Sequence, residues 1–201
     1  MTLEPERRVA YDSGAMANPD LVRSYPLIDE LLEARRNLFA GNESVYQGYR
    51  NHAYHILNFA RQWMDPRPDR DEKLAICAVF HDIAAWPDGN LDYLEPSAGQ
   101  ADAYLDQTGR GTWKPEMRLM IEMHHKLTAY RGTHAKWVEP VRRADWCDVS
   151  FAVLRFGLAR SFVEEVRQVF PLGAFYPGHV FKVIGKWMIR HPLNPAPIVR
   201  W

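Results

Sequence analysis

The sequence predicts an all-α protein, and three observations carry that prediction. Apolar residues recur at three- and four-residue steps in segment after segment, as on one face of a helix. No convincing period-two alternation marks a strand, and no internal repeat points to a solenoid. The composition, 47% apolar and 25% charged over 201 residues, is that of an ordinary globular chain with one core. One domain is expected.

Residues 1–25 mix charges, Gly14, Pro19 and small side chains without a period, so they read as an N-terminal arm and residues 26–201 as the domain. Pro26 suits a first helical position, and PLIDELLEARRNLF carries Leu27, Leu31 and Leu38 on one stripe until Gly41-Asn42 ends it. The next helix opens near Ser44 and runs to the proline-rich DPRPD. Its stripe of Val45, Tyr49, Ala53, Ile56, Ala60 and Trp63 encloses His52, which should face the core, whereas His55 falls nearer the edge. A third helix, residues 74–86, is flanked by Asp71-Glu72 and stopped by Pro87. It is apolar almost throughout until it reaches His81-Asp82.

After the connection PDGNLDYLEP, a short helix is expected from about Ser97 to Gln107, closed by Gly109. A helix over residues 113–128 presents Met117, Ile121, His124 and Thr128 on one face and places His125 beside it. Adjacent histidines on a helix cannot point the same way. The helix opening near Ala135 sets Val138, Val141, Asp145, Asp148 or Val149, and Ala152 inward. Ser161-Phe-Val-Glu164 has the form of a capping box for a helix ending at Pro171, and Pro177 can start a last helix through Arg190. The tail from His191, with Pro192, Pro195 and Pro197, reads as an extended strap; His134, His179 and His191 read as surface residues.

The charge balance of 25 basic against 25 acidic residues removes the electrostatic footprint of a general nucleic-acid binder. Cys77 and Cys147 lie in apolar helical segments without a CxxC partner, as reduced core cysteines do. No run approaches the roughly 18 apolar residues of a membrane span, and MTLEPERRVAYD lacks the hydrophobic core of a signal peptide, so no membrane association and a cytoplasmic location are expected. The exposed-looking aromatics of the C-terminal third leave room for a homodimer.

A charged carboxylate on a buried helix face is costly unless something cationic pairs with it, and both Asp82 and Asp145 are in that position. Histidine nitrogens and carboxylate oxygens are the donors that a divalent transition metal takes. The motifs YRNH (49–52), FHDIAAW (80–86), MHHK (123–126) and RRADWCDV (142–149) run in the order H…HD…D over residues 45–150. That order resembles the HD-domain superfamily of metal-dependent phosphohydrolases.

The resemblance implies an HD-domain-like helical bundle with extra C-terminal helices, in which His52, His81, Asp82 and Asp145 ligate one divalent metal ion. Mn, Fe, Co, Ni, Zn and Mg all remain candidates. Asp145 is taken over Asp148 because RRAD precedes it as in the family pattern, which leaves Asp148 to satisfy a local amide or a ligand imidazole. A metal-activated water would then hydrolyse a phosphomonoester or phosphodiester of a small molecule, with a nucleotide as the leading candidate. Asp82 would also orient the attacking water, His124 or His125 would act as electrophile or general acid, and Lys126 would be a point charge for a phosphate oxygen. Two alternatives share the same helices: a di-iron oxygenase or a hydratase/lyase, and a non-catalytic sensor or scaffold stabilised by its metal.

Overall fold

The helices between residues 26 and 123 pack around one central element, α3 (Arg70–Phe80). From Lys73 to Phe80 every residue of α3 is buried, as its unbroken apolar sequence requires. Four helices supply the cover: α1 (Pro26–Glu33), α2 (Glu43–Arg61), α4 (Leu94–Gln107) and α5 (Lys114–Met123). Lys73 sits inside this packing because its ammonium reaches Glu116 at 2.6 Å and Asp69 at 2.9 Å, between the rings of Trp113 and Trp137. The remaining helices are α6 (Ala135–Val149), which packs on α2 and α5, α7 (Arg160–Val169) and α8 (Phe181–Arg190).

In this computed structural model the described residues are 20–87, 90–194 and 196–200, and among them the protein is all-α. Their one β-type contact is an isolated bridge between Lys126 and Arg200. The arm expected over residues 1–25 lies outside the described residues as far as residue 19. From there Leu21 is buried and the Val22 amide donates to Asn58 Oδ1 at 2.8 Å, so residues 20–25 belong to the packed body. Residues 88 and 89 of the PDGNLDYLEP connection and Pro195 of the strap also lie outside the described residues. Cys77 and Cys147 are free and buried. No helix among the described residues is long and apolar enough to cross a membrane.

The helix ends depart from the sequence expectations, each for a local reason. The first helix stops at Glu33, and Arg36–Phe39 forms a separate 3-10 turn before Ala40 takes a left-handed conformation at φ 49°. The third stops at Phe80 and not at residue 86. The Tyr49 hydroxyl donates to Val79 O at 2.8 Å and stands 3.3 Å from the Asp82 amide, taking two backbone groups that a longer helix would need. The fifth stops at Met123 and not at residue 128, because the Ile121 carbonyl accepts the His124 Nδ1 proton at 2.6 Å.

No capping box forms at Ser161. The helix instead starts at Arg160, which pairs with Glu164 at 2.7 Å one turn on. Residues Phe175–Val180 form one wide π-helical stretch that leads into α8, so the segment after Pro177 begins with a looser turn than expected. Two apolar clusters result. The main core runs through α1 to α7, and a smaller one joins Ala85, Leu91, Tyr93 and Leu94 to Val183, Ile184 and Trp187 of α8 and to Ile198.

Candidate metal centre

The early end of α3 sets the site. His81 is the last residue of α3 with helical backbone and Asp82 leaves the helix; His81 faces His52 of α2, and Asp82 faces His124 in the turn after α5. His52, on the inward stripe of α2, meets His81 there with the two Nε2 atoms 3.0 Å apart. Each of these imidazoles has its Nδ1 committed to an acceptor: His52 to Asp148 Oδ2 at 2.7 Å, and His81 to the Ala78 carbonyl at 3.0 Å. The Nδ1 atoms therefore carry protons, and wherever both rings are neutral their Nε2 lone pairs face one another.

A 3.0 Å approach of two Nε2 atoms needs a positive centre between them, either a shared proton or a metal ion. Nitrogens about 2.0–2.1 Å from one ion lie about 2.8–3.4 Å apart for right-angled to tetrahedral ligation, a range that contains the observed contact. Asp145 completes this side, with Oδ1 at 3.7 Å from His52 Nε2.

The second side is built from the turn after α5. Because the helix ends at Met123, His124 and His125 both face inward, their ring centroids 3.9 Å apart, which overturns the expectation that only one could. His124 Nε2 lies 3.2 Å from Asp82 Oδ1, and His125 Nδ1 lies 3.3 Å from Asp145 Oδ2. Each carboxylate thus spans the site. Asp82 directs Oδ2 toward His81 at 3.5 Å and its other oxygen toward His124, while Asp145 reaches from His52 to His125.

Three triads of donor atoms are close enough to hold an ion: His52, His81 and Asp145; His81, Asp82 and His124; His124, His125 and Asp145. Of the four ligands expected from the sequence, His52, His81 and Asp145 share one triad, and Asp82 joins His81 in the next. Lys126 is not among the residues lining the adjoining cavity; its carbonyl accepts from Arg142 at 3.2 Å and from Trp146 at 3.1 Å.

The electrostatics ask for positive charge. Buried Asp82 Oδ1, His124 Nε2 and Asp145 Oδ2 have no hydrogen-bond partner, and among the described residues the ion-pair partners of both carboxylates are all histidines. Burial would raise both carboxyls, yet the surrounding imidazoles outweigh it, holding Asp82 well below the usual range and lowering Asp145. Burial pushes His81 down to about 4, so it is a neutral donor near pH 7. For His52 and His124 burial also lowers, but Asp148 and Asp82 respectively outweigh it and raise both imidazoles. Buried side chains of this kind, unpaired by lysine or arginine, could hold a metal ion.

A supporting layer was only partly foreseen. Asp148 accepts from His52 and also from His55, whose Nδ1 is 2.7 Å from Oδ1, and it takes the Tyr176 hydroxyl at 2.9 Å. His55 is fully buried and not at an edge as its position on the stripe suggested. Its other nitrogen stands 2.8 Å from the Phe170 carbonyl, and the Arg167 guanidinium lies 3.5 Å from Asp148 Oδ1. A sequence signal for this pair existed: His52/His55 and Asp145/Asp148 are both spaced three apart on helices that pack face to face. Tyr93, whose hydroxyl is 2.8 Å from His125 Nε2, and Tyr176 carried no comparable signal.

Beside the cluster lies a cavity of about 80 Å³. His52, Asp82, His125 and Asp145 form its floor, and the smaller apolar cluster forms the facing wall. Comparison with family models, with curated proteins and with solved structures finds no match.

Proposed function

We propose that this chain is a metal-dependent phosphohydrolase of the HD type, acting in the cytoplasm on a phosphomonoester or phosphodiester of a small molecule. The observation that carries the proposal is the 3.0 Å approach of His52 and His81 through their Nε2 atoms, with Asp145 completing the triad. Asp82 and Asp145 are two buried carboxylates with no lysine or arginine partner among the described residues, and one divalent ion would offset their charge. Such an ion, when bound, would polarise a phosphoryl oxygen and lower the pKa of water.

The chain's own groups do the rest. Asp148, the Ala78 carbonyl and the Ile121 carbonyl hold the Nδ1 protons of His52, His81 and His124, so that each Nε2 points into the site. Asp82, at the junction of both halves, is the carboxylate placed to accept a proton from water. His125 faces the cavity between Tyr93 and Asp145, so it is the imidazole of the pair suited to protonate a leaving oxygen.

Elemental analysis of the purified protein, followed by assays with Mn and Co on phosphoester panels, tests the reading. His81→Ala and Asp145→Ala should each lose bound metal and turnover; retention of both by either variant refutes it. The triad of His81, Asp82 and His124 supports a second reading, in which the His124 side holds another ion. Two irons per chain with oxygen-consuming turnover would select the oxygenase alternative. Metal that raises the melting temperature without turnover of any phosphoester would select the scaffold.

A further inference from the structure

We infer that the cavity selects a substrate whose non-reacting part is a short, uncharged aliphatic group, and that it excludes a nucleoside. The inference rests on the reading that the His/Asp cluster is the reaction centre, and it adds what the wall facing that centre admits. Trp86, Leu91, Phe175, Val183, Ile184 and Ile198 supply that wall, and none offers a carboxylate, amide or cation. No lysine or arginine lines the cavity among the described residues. A charged group can therefore be met only at the cluster itself, and the remainder of the substrate must be neutral.

The two hydroxyls that reach the cavity are already engaged, Tyr93 with His125 and Tyr176 with Asp148, and the one unpartnered donor on the wall residues among the described residues is the Trp86 indole N–H. A base or a ribose buried there would leave most of its polar atoms unpaired, at about 1–3 kcal/mol for each such group. Volume points the same way. A cavity of roughly 150 Å³ holds benzene, so one of about 80 Å³ takes a chain of a few carbons and no purine.

Calorimetric titration of the metal-loaded protein with n-alkylphosphonates, from methyl to hexyl, tests this without turnover. A parallel series of n-alkanols and a titration with adenosine monophosphate complete the set. The dissociation constant should fall about fourfold per methylene, the equivalent of ~0.8 kcal/mol for a buried CH₂, and then level off within the series. Val183→Phe should flatten the dependence with metal content unchanged, and Val183→Ala should let it continue to a longer chain.

A flat response to chain length in both series overturns the inference, as does adenosine monophosphate bound more tightly than the best phosphonate. Preferred turnover of nucleotides would overturn it while leaving the phosphohydrolase reading standing. Chain-length dependence in the alkanols, with no phosphonate bound and no phosphoester hydrolysed, would do the reverse.

Discussion

Asp148 holds two imidazoles and a phenol at once, and its neighbour one turn back, Asp145, faces the cluster. The two aspartates differ in what stands beside them: the Arg167 guanidinium lies 3.5 Å from Asp148 Oδ1, whereas among the described residues the ion-pair partners of Asp145 are all histidines. That difference decides which carboxylate is a candidate ligand and which a positioning residue. Asp148→Asn should keep the helix but loosen the tautomer of His52, lowering metal affinity about 10–100-fold in a competition titration against a chromophoric chelator. Unchanged affinity would remove His52 from the ligand set. At this scale His52, His81, Asp82 and Asp145 were legible because charged or polar residues interrupt apolar stripes. His55 was not, because the far side of α2 is buried by residues distant in sequence, Phe170 among them.

Helix existence followed from the three- and four-residue spacing, but helix ends did not, since side chains from elsewhere set them. Tyr49 of α2 decides where α3 stops, and nothing within residues 74–86 announces it. The π-helical stretch depends likewise on a neighbour. Gly48 of α2 leaves space that Phe175 fills: a Cβ there would stand 2.6 Å from Phe175 Cβ. Alanine normally exceeds glycine in a helix interior by about 1 kcal/mol, whereas overpacking costs about 1–3 kcal/mol. Gly48→Ala should therefore lose stability in urea titration, by up to about 2 kcal/mol, and weaken the Tyr176 contact with Asp148 that the same stretch carries. A gain in stability would mean that the stretch does not rest on α2 at this point.

Across the whole molecule, four separate segments meet at the cluster: α2, the end of α3, the turn after α5, and α6. Removing the proposed ion leaves two buried carboxylates facing only imidazoles, and these segments should then hold together less firmly. Metal present at about 1,000 times its dissociation constant contributes about 4 kcal/mol. For a chain of this length each kcal/mol moves the melting temperature by about 2–4 °C. Chelation should accordingly lower it by roughly 10 °C, read by circular dichroism, and readdition should restore it. An unchanged melting temperature would contradict a metal-tied bundle. The all-α architecture was legible at this scale because it needs only periodicity. The division into two apolar clusters was not, because it depends on where α8 comes to rest.

That division separates two duties. The donors are rooted in the large body of packing, while Val183, Ile184 and Ile198 belong to the small one. If the proposed reaction holds, exchanges among these three residues would retune which molecules are admitted without disturbing the frame that holds the donors, so selectivity could drift in descendants of this chain while the His/Asp cluster is inherited intact.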